Sequence, residues 1–317
     1  MIAEMKIVLL ESLRISAEEL EARVRPFIQD GHTFQSYPHS SAAEQVQRAA
    51  DADAVIIGNM PLRRETLSQC KKLKMIDVAF TGLDHVDLDY AREHHITVCN
   101  AAGYSTSTVA ELTLGNTIAL MRHVAANEKN CRIGKGPVPV LGVELSGKTV
   151  GIVGFGAIGS YTAKLFHGFG CKILAYMPRA RQTPDYVQSV FLEQLLQASD
   201  IVSLHCPLTP DTKNLIGETE LSRMKPTAVL VNMARGGVVD TTALAKALRQ
   251  SRIRGAVVDV FDQEPPLPEG HPLLDVPNIL LTPHIAYASE QSMIRRADIT
   301  FKNLRAWMDG KPQNVKV

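Results

Sequence analysis

One short stretch limits the fold more than any other part of the chain. In KTVGIVGFGAIGSYTAKLF, the apolar run at residues 149–153 leads directly into a glycine-rich turn, and a helix-like pattern follows. A strand, glycine turn and helix in this order are typical of a βα unit that binds a pyrophosphate on the helix N-terminus. We therefore predict a dinucleotide site at the turn, formed by Gly154, Gly156, Ala157, Ile158 and Gly159.

The same alternation of apolar runs and helix-like stretches extends along the chain. Strands are predicted near residues 6–10, 54–58, 74–80, 96–100, 149–153, 172–176, 201–205, 228–232, 255–260 and 278–282. Long helical patterns cover residues 105–127 and 290–308. Runs that are apolar on both faces suit parallel strands covered by helices on both sides, and a chain of 317 residues usually needs more than one core. We expect an α/β protein with two doubly wound parallel-sheet domains, one of residues 103–285 and one of residues 1–102 with 286–317.

Composition narrows the classes of partner. The 34 basic and 33 acidic residues form no run of like charge, so neither a nucleic acid nor a membrane surface is expected as a partner. No apolar window is long enough to span a bilayer, and MIAEMKIVLLES lacks the features of a signal peptide. The five cysteines are scattered singly without metal-ligand spacing, which predicts no metal site and a reducing compartment. We expect a cytoplasmic protein with a small-molecule ligand.

The residue at the end of the second strand of this domain bears on the choice of dinucleotide. An acidic residue there would bind the ribose hydroxyls of NAD, but the chain has Met177, followed closely by Arg179 and Arg181. Guanidinium groups can bind the 2′-phosphate of NADP, and the alternative is that these two are ordinary solvated loop residues. The cofactor is therefore expected to be NAD or NADP, with NADP(H) favoured.

Three polar segments follow the last predicted strands: VNMARGG (231–237), VVDVFDQEPP (257–266) and LTPHIAYAS (281–289). The carboxyl ends of parallel strands share one edge, so Arg235, Asp259, Glu264 and His284 are predicted to converge there. Reduction of a 2-keto acid needs a cation for the carboxylate and carbonyl, which suits Arg235, and a proton donor, which suits His284. Glu264 could orient the imidazole. Taken singly, each residue could instead be an ordinary loop or core side chain.

The motifs together resemble those of the D-isomer-specific 2-hydroxyacid dehydrogenases over essentially the whole chain. TGLDHVD (81–87), VAEL (109–112), GFGAIG, HCPLT (205–209), NMARGG, DVFDQEP and TPH occur in that family's order. The resemblance implies a Rossmann-type cofactor domain inserted in a flavodoxin-like substrate domain, with a homodimer built around the helix at 105–127. It also implies hydride transfer between a nicotinamide cofactor and a small 2-keto or 2-hydroxy acid.

Residue roles follow from the same resemblance. Arg235, Glu264 and His284 match the family's catalytic residues, and Asp259 matches the aspartate that contacts the nicotinamide carboxamide. Thr81 and Gly82 match the loop that holds the substrate carboxylate on its backbone N–H groups. The cofactor cleft is lined in relatives by the residues that match Thr108, Cys206, Pro207, Met233 and Ala234. Met177 stands where members that use NAD typically carry an acidic residue, and with Arg179 it is expected to lie against the cofactor.

Departures from the pattern narrow the family branch. Phosphoglycerate dehydrogenases tend to carry phosphate-binding arginines at two positions where this chain has Gly58 and Val78, and neither of these residues is basic. The regulatory domain that some of those enzymes carry is not expected after His284. Glyoxylate and hydroxypyruvate reductases that use NADPH carry an arginine at the position of Arg179. The family also includes dinucleotide-binding corepressors with little turnover, and the motifs alone leave this alternative open.

Overall fold

The computed structural model describes residues 4–179 and 181–317. Its strands are β1 (Lys6–Leu9), β2 (Thr33–Ser36), β3 (Ala54–Ile57), β4 (Met75–Val78), β5 (Thr97–Asn100), β6 (Thr149–Val153), β7 (Lys172–Tyr176), β8 (Val187–Ser189), β9 (Ile201–Leu204), β10 (Val229–Asn232), β11 (Gly255–Val258) and β12 (Ile279–Leu281). Its helices are α1 (Ala17–Gln29), α2 (Ala42–Ala49), α3 (Arg64–Leu67), α4 (Leu88–Glu93), α5 (Thr106–Met121), α6 (Val124–Arg132), α7 (Ala157–Gly168), α8 (Leu192–Ala198), α9 (Glu218–Arg223), α10 (Thr241–Arg249) and α11 (Glu290–Met308).

The chain divides into two compact units. The first comprises Met1–Ser105 with Ala288–Val317, and the second comprises Thr106–Tyr287. The first unit holds a parallel sheet in the order β2-β1-β3-β4-β5, which is the flavodoxin-like order. The second holds a parallel sheet in the order β12-β11-β10-β9-β6-β7-β8, which is the Rossmann order with one further strand. The expected fold class is confirmed.

Helix α11 completes the core of the first unit, although it comes last in the chain. Its residues Ala297, Phe301 and Leu304 are buried against β1, β3 and β4. The Phe301 ring lies 5.9 Å from that of Phe27 on α1. After α11 the chain runs antiparallel beside β5, where Lys316 donates its N–H to the Val98 carbonyl. The first unit is thus assembled from two distant segments of the sequence.

The second sheet is buried on both faces, as its sequence predicts. Successive residues of a strand point to opposite faces, so Leu230 on β10 joins one apolar core while Val229 and Val231 join the other. Helices cover both sides, and the central strands are therefore largely apolar. This leaves the polar loops at the carboxyl ends of the strands as the place for chemistry.

Two features differ from the sequence expectations. Strands β2 and β8 were not expected because both are sheet edges with polar, mostly exposed residues, where burial does not select apolar side chains. The prediction of one continuous helix over residues 105–127 is wrong. It is interrupted at His123, whose φ of 53° lies in the left-handed region, so α5 ends at Met121 and α6 begins at Val124. Within the described residues, no helix combines the length and apolar character needed to cross a bilayer.

Candidate active site

The glycine turn lies between β6 and α7, at the point where the strand order of the second sheet reverses. Gly154 has a φ of +94°, and a Cβ on it would come within 2.7 Å of the Cys206 backbone nitrogen. A Cβ on Gly159 would lie 2.1 Å from the Gly154 carbonyl oxygen, so the helix packs directly on the turn. A Cβ on Gly156, by contrast, would meet nothing within 4 Å, which leaves open space in front of α7. This backbone cradle fits a dinucleotide pyrophosphate.

The first residues of α7 and the end of β7 flank this cradle. Ala157 is the first residue of the helix, and Ile158 packs its side chain partly into the core beneath. Met177, just after β7, is likewise partly buried against that core. Arg179 and Arg181 are exposed, and neither has an ion pair or side-chain hydrogen bond to any described residue. Both guanidinium groups are therefore available to an anionic ligand.

The other residues predicted for the cofactor cleft lie at the same edge or on α5. Cys206 and Pro207 follow β9, and Met233 and Ala234 follow β10, with all but Pro207 buried. Burial raises the pKa of the Cys206 thiol to about 11, so this cysteine is a packing residue rather than a nucleophile. Thr108 lies in the first turn of α5, the helix that packs along α7.

The turn that carries Arg235 is held by an asparagine at the end of β10. The side chain of Asn232 accepts a hydrogen bond from the Ala234 N–H (3.1 Å) and donates one to the Arg235 carbonyl (3.0 Å). Gly236 then packs against the backbone after β11, where a Cβ would lie 2.0 Å from the Phe261 carbonyl carbon. This close approach is open only to glycine, and it brings the Arg235 turn against the segment that leads to Glu264.

The imidazole and carboxylate predicted to act together lie side by side. The Nδ1 atom of His284 is 3.0 Å from Oε1 of Glu264, which is within ion-pair distance. The His284 side chain is 14 % exposed and that of Glu264 is 42 % exposed, so the pair lies near the surface of its own unit with the histidine better covered. The ring of Tyr287 stands at 87° to the imidazole, 5.7 Å away between centroids.

Asp259 is buried and accepts hydrogen bonds from the turn that contains His284. Its carboxylate accepts hydrogen bonds from the Thr282 hydroxyl (2.6 Å), the Ile285 N–H (2.9 Å) and the Ala286 N–H (2.9 Å). Its backbone carbonyl accepts one from the His284 N–H at 2.7 Å. Burial raises the pKa of this carboxyl group, and the bonds from the turn act in the opposite direction. Asp259 thereby fixes His284 in its left-handed conformation, with φ of 51°.

The loop predicted to hold the substrate carboxylate belongs to the first unit, where it follows β4. The Asn100 side chain donates to the Thr81 carbonyl (2.7 Å) from the end of β5. Asn303 of α11 donates to the Asn100 carbonyl (3.1 Å) and to the carboxyl group of Asp77 (3.2 Å). Asp77 is fully buried, and burial raises its pKa to about 8. A buried polar network thus supports the Thr81–Gly82 loop from below.

Sequence reasoning missed the residues that hold these turns. Asn100 and Asn232 each close an apolar strand, and each uses its amide to fix the carbonyl of a candidate site residue. An asparagine at the end of a run that is otherwise apolar was the available signal, because asparagine readily bonds to nearby backbone. Among residues 4–179 and 181–317, no group of three His, Cys, Asp or Glu side chains has a metal-binding arrangement.

Comparison with known proteins places the chain in a family. Residues 114–286 match the family described as D-isomer specific 2-hydroxyacid dehydrogenase, NAD binding domain. A glycerate dehydrogenase from Methylorubrum extorquens is 39% identical over 95% of this chain and 97% of its own. A glyoxylate reductase from Thermofilum pendens is 40% identical over 88% of this chain and 85% of its own. The solved structure of an acyclic imino acid reductase in complex with NADPH and D-Arg superposes with a TM-score of 0.90 at 28% identity, covering 99% of this chain and 100% of that one.

These similarities and the site geometry define an oxidoreductase with a nicotinamide dinucleotide cofactor. The chain belongs to the D-isomer-specific 2-hydroxyacid dehydrogenase family. The relatives are named for enzymes, which supports a dehydrogenase over the corepressor alternative.

Proposed function

We propose that this protein reduces a small 2-keto acid of the glyoxylate and hydroxypyruvate class to the D-2-hydroxy acid. The observation that carries the proposal is the His284–Glu264 pair, at 3.0 Å, on the same sheet edge as the glycine cradle and the Arg235 turn. The substrate class is supported by relatives named glyoxylate reductase, glycerate dehydrogenase and hydroxypyruvate reductase.

His284 is the proposed proton donor. Its Nδ1 faces Glu264, and we assign to its Nε2 the protonation of the carbonyl oxygen of the substrate. The carboxylate of Glu264 orients the ring and stabilises the imidazolium form. The nicotinamide, when bound, supplies the hydride to the carbonyl carbon. Glu264 and Asp259 together fix the imidazole from two sides, one through its ring and one through its backbone.

Arg235 is the proposed carboxylate-binding and carbonyl-polarising residue. Its planar guanidinium can donate two parallel hydrogen bonds, which a lysine cannot. The backbone N–H groups of Thr81 and Gly82 stay predicted donors to the same carboxylate. The residues assigned to the cofactor also stay a prediction: Thr108, Gly154, Gly156, Ala157, Ile158, Gly159, Met177, Arg179, Cys206, Pro207, Met233, Ala234 and Asp259.

NADPH is the proposed cofactor, since Met177 presents no carboxylate that would repel a 2′-phosphate. The exposed Arg179 and Arg181 are available to bind that phosphate. A cytoplasmic location is also proposed and is supported by all five cysteines being free thiols.

We further propose a homodimer formed through the second unit. Several large apolar side chains are exposed to solvent on α6 and the loop after it. Their exposed fractions are 49 % for Val124, 55 % for Ile133, 58 % for Val140 and 90 % for Leu141. Covering such a surface with a second copy of the chain removes it from water. Light scattering at micromolar concentration should give twice the chain mass, and Leu141→Asp should shift it toward one chain mass.

The function is tested by following NADPH and NADH oxidation with glyoxylate, hydroxypyruvate, pyruvate and bulkier keto acids. Catalytic efficiency is expected to be highest with glyoxylate or hydroxypyruvate, and chiral analysis should find the D product from hydroxypyruvate. If none of these keto acids is reduced with either cofactor, the proposed function is wrong.

A further inference from the structure

Glu11 occupies an anion-binding turn of the first unit with its own side chain. It follows β1, and its Oε2 atom accepts hydrogen bonds from the backbone N–H groups of Gly58 (2.9 Å) and Met60 (3.1 Å), which follow β3. Backbone N–H groups that converge in this way form a cradle for a negatively charged group. In this chain the cradle is filled by a carboxylate that the protein supplies.

Position 58 cannot carry a side chain while Glu11 lies there. A Cβ on Gly58 would come within 2.8 Å of Oε2 and 2.9 Å of Oε1 of Glu11, closer than such atoms approach. A side chain at position 58 would require the Glu11 carboxylate to move, and with Gly58 this carboxylate lies directly against the backbone.

The cradle lies where an open parallel sheet binds ligands. In the order β2-β1-β3-β4-β5 the direction of winding reverses between β1 and β3, and ligands bind outside the carboxyl ends of the strands at such a point. Thr81 follows β4, the neighbour of β3, and adjacent strands are about 5 Å apart. A keto acid whose carboxylate is bound at Thr81 can therefore direct its far end along this edge toward Gly58 and Glu11.

We propose that Glu11 is a specificity-determining residue that rejects 2-keto acids with an anionic far end. The substrate class is then a monoanionic keto acid with a small uncharged end, because a second phosphate or carboxylate would meet like charge and find the N–H donors already occupied. This inference rests on the proposed function and specifies which keto acids the site accepts.

Hydroxypyruvate and 3-phosphohydroxypyruvate provide a matched pair of substrates, since they differ only by the phosphoryl group. The wild-type protein should use hydroxypyruvate at least tenfold more efficiently. Glu11→Gln removes the charge but keeps an oxygen that can accept both N–H bonds, so the ratio of kcat/KM values should shift toward the phosphorylated substrate by about tenfold. Glu11→Ala empties the cradle and should shift the ratio at least as far.

Two controls separate specificity from folding. Glu65→Ala removes one exposed carboxylate from α3 without touching the cradle and should leave the ratio unchanged. Turnover of glyoxylate, which has no far end, should be nearly the same in wild type and in Glu11→Gln. A purely structural role of Glu11 would lower both kcat/KM values together and leave their ratio unchanged.

The outcomes are distinguishable from failure of the proposed function. If wild type reduces glyoxylate and hydroxypyruvate but the ratio is the same in Glu11→Gln, the specificity role is wrong while the function stands. A wild-type preference for the phosphorylated substrate would also overturn it. If no keto acid is reduced at all, the proposed function itself fails. Added salt should weaken the discrimination in wild type and have less effect in Glu11→Gln, because it screens the repulsion.

Discussion

His284 and Glu264 approach each other through one ring nitrogen and one carboxylate oxygen, 3.0 Å apart. The two residues follow different strands, and the turn of His284 is held separately by three hydrogen bonds to the carboxylate of Asp259. The backbone of His284 and its ring are therefore each contacted by a different acidic residue. This arrangement is the basis of the first prediction.

Removing the imidazole should abolish proton donation but not cofactor binding. His284→Ala is expected to lower kcat for keto-acid reduction by about a hundredfold to ten-thousandfold, while NADPH binding followed by fluorescence is retained. Glu264→Gln should cause a smaller loss, because it leaves the imidazole in place. The exposed His39→Ala serves as a control and should retain full activity. Near-normal turnover in His284→Ala would contradict the assignment.

Arg235→Lys keeps the charge and tests the geometry of carboxylate recognition. Catalytic efficiency should fall by about tenfold or more, since an ammonium group cannot make paired contacts with a carboxylate and carbonyl oxygen. Arg249→Lys makes the same exchange at an exposed arginine that bonds to the Pro272 carbonyl, and it should have little effect. Steady-state kinetics with one keto acid is sufficient. Equal efficiency in Arg235→Lys and wild type would show that Arg235 does not grip the substrate.

The choice between NADPH and NADH should respond to two positions near the end of β7. Arg179→Ala should lower kcat/KM for NADPH by about tenfold to a hundredfold, which is the range expected for loss of a charge-assisted hydrogen bond. The kcat/KM for NADH should not change. Met177→Asp should move the preference toward NADH by placing a carboxylate against the 2′-phosphate. The measurement is kcat/KM for each cofactor. A parent protein that already prefers NADH would count against both arginines.

Asp77→Asn should change how stability depends on pH. The unfolded chain releases this proton near pH 3.8, whereas the buried carboxyl group of the folded state keeps it until about pH 8. Its stabilising contribution is complete below pH 3.8 and is lost as the pH rises to about 8, by at most about 1.4 kcal/mol per pH unit. Asparagine can still accept the bond from Asn303 and has no proton to lose.

The advantage of Asp77→Asn over wild type should therefore grow between pH 5 and about pH 8 and then level off. Urea unfolding midpoints across this window measure it, and the exposed Asp211→Asn is the matched control. A constant difference between the two proteins at all pH values would show that Asp77 does not titrate in this range.

The central strands could be predicted because burial on both faces leaves a run of apolar residues with no alternative interpretation. TVGIV and KILAY correspond to β6 and β7 without a shift in either boundary. The edge strands β2 and β8 could not be predicted, because an edge position tolerates polar residues such as those of TFQS and VQS. The break at His123 was equally hidden, because no glycine or proline marks it.

The candidate site shows the same division. Arg235, Glu264 and His284 could be found because each is a reactive residue type placed after a recognisable strand. Asn232, which holds the Arg235 turn, and Glu11, which holds the turn after β3, could not be found in this way. Both act through backbone groups whose positions depend on the folded chain. A carboxylate that fills a backbone turn has no signature in the sequence.

The interleaved construction of the first unit has a consequence during synthesis. The ribosome releases β1 to β5 long before α11, and the whole of the second unit emerges between them. Until Ala297, Phe301 and Leu304 arrive, the apolar side chains on this face of the first sheet are covered only in part, by α1. We expect the second unit to mature first and the early strands to wait as a chaperone client, so that a stalled or truncated product is an aggregation hazard even when its dinucleotide-binding half is native.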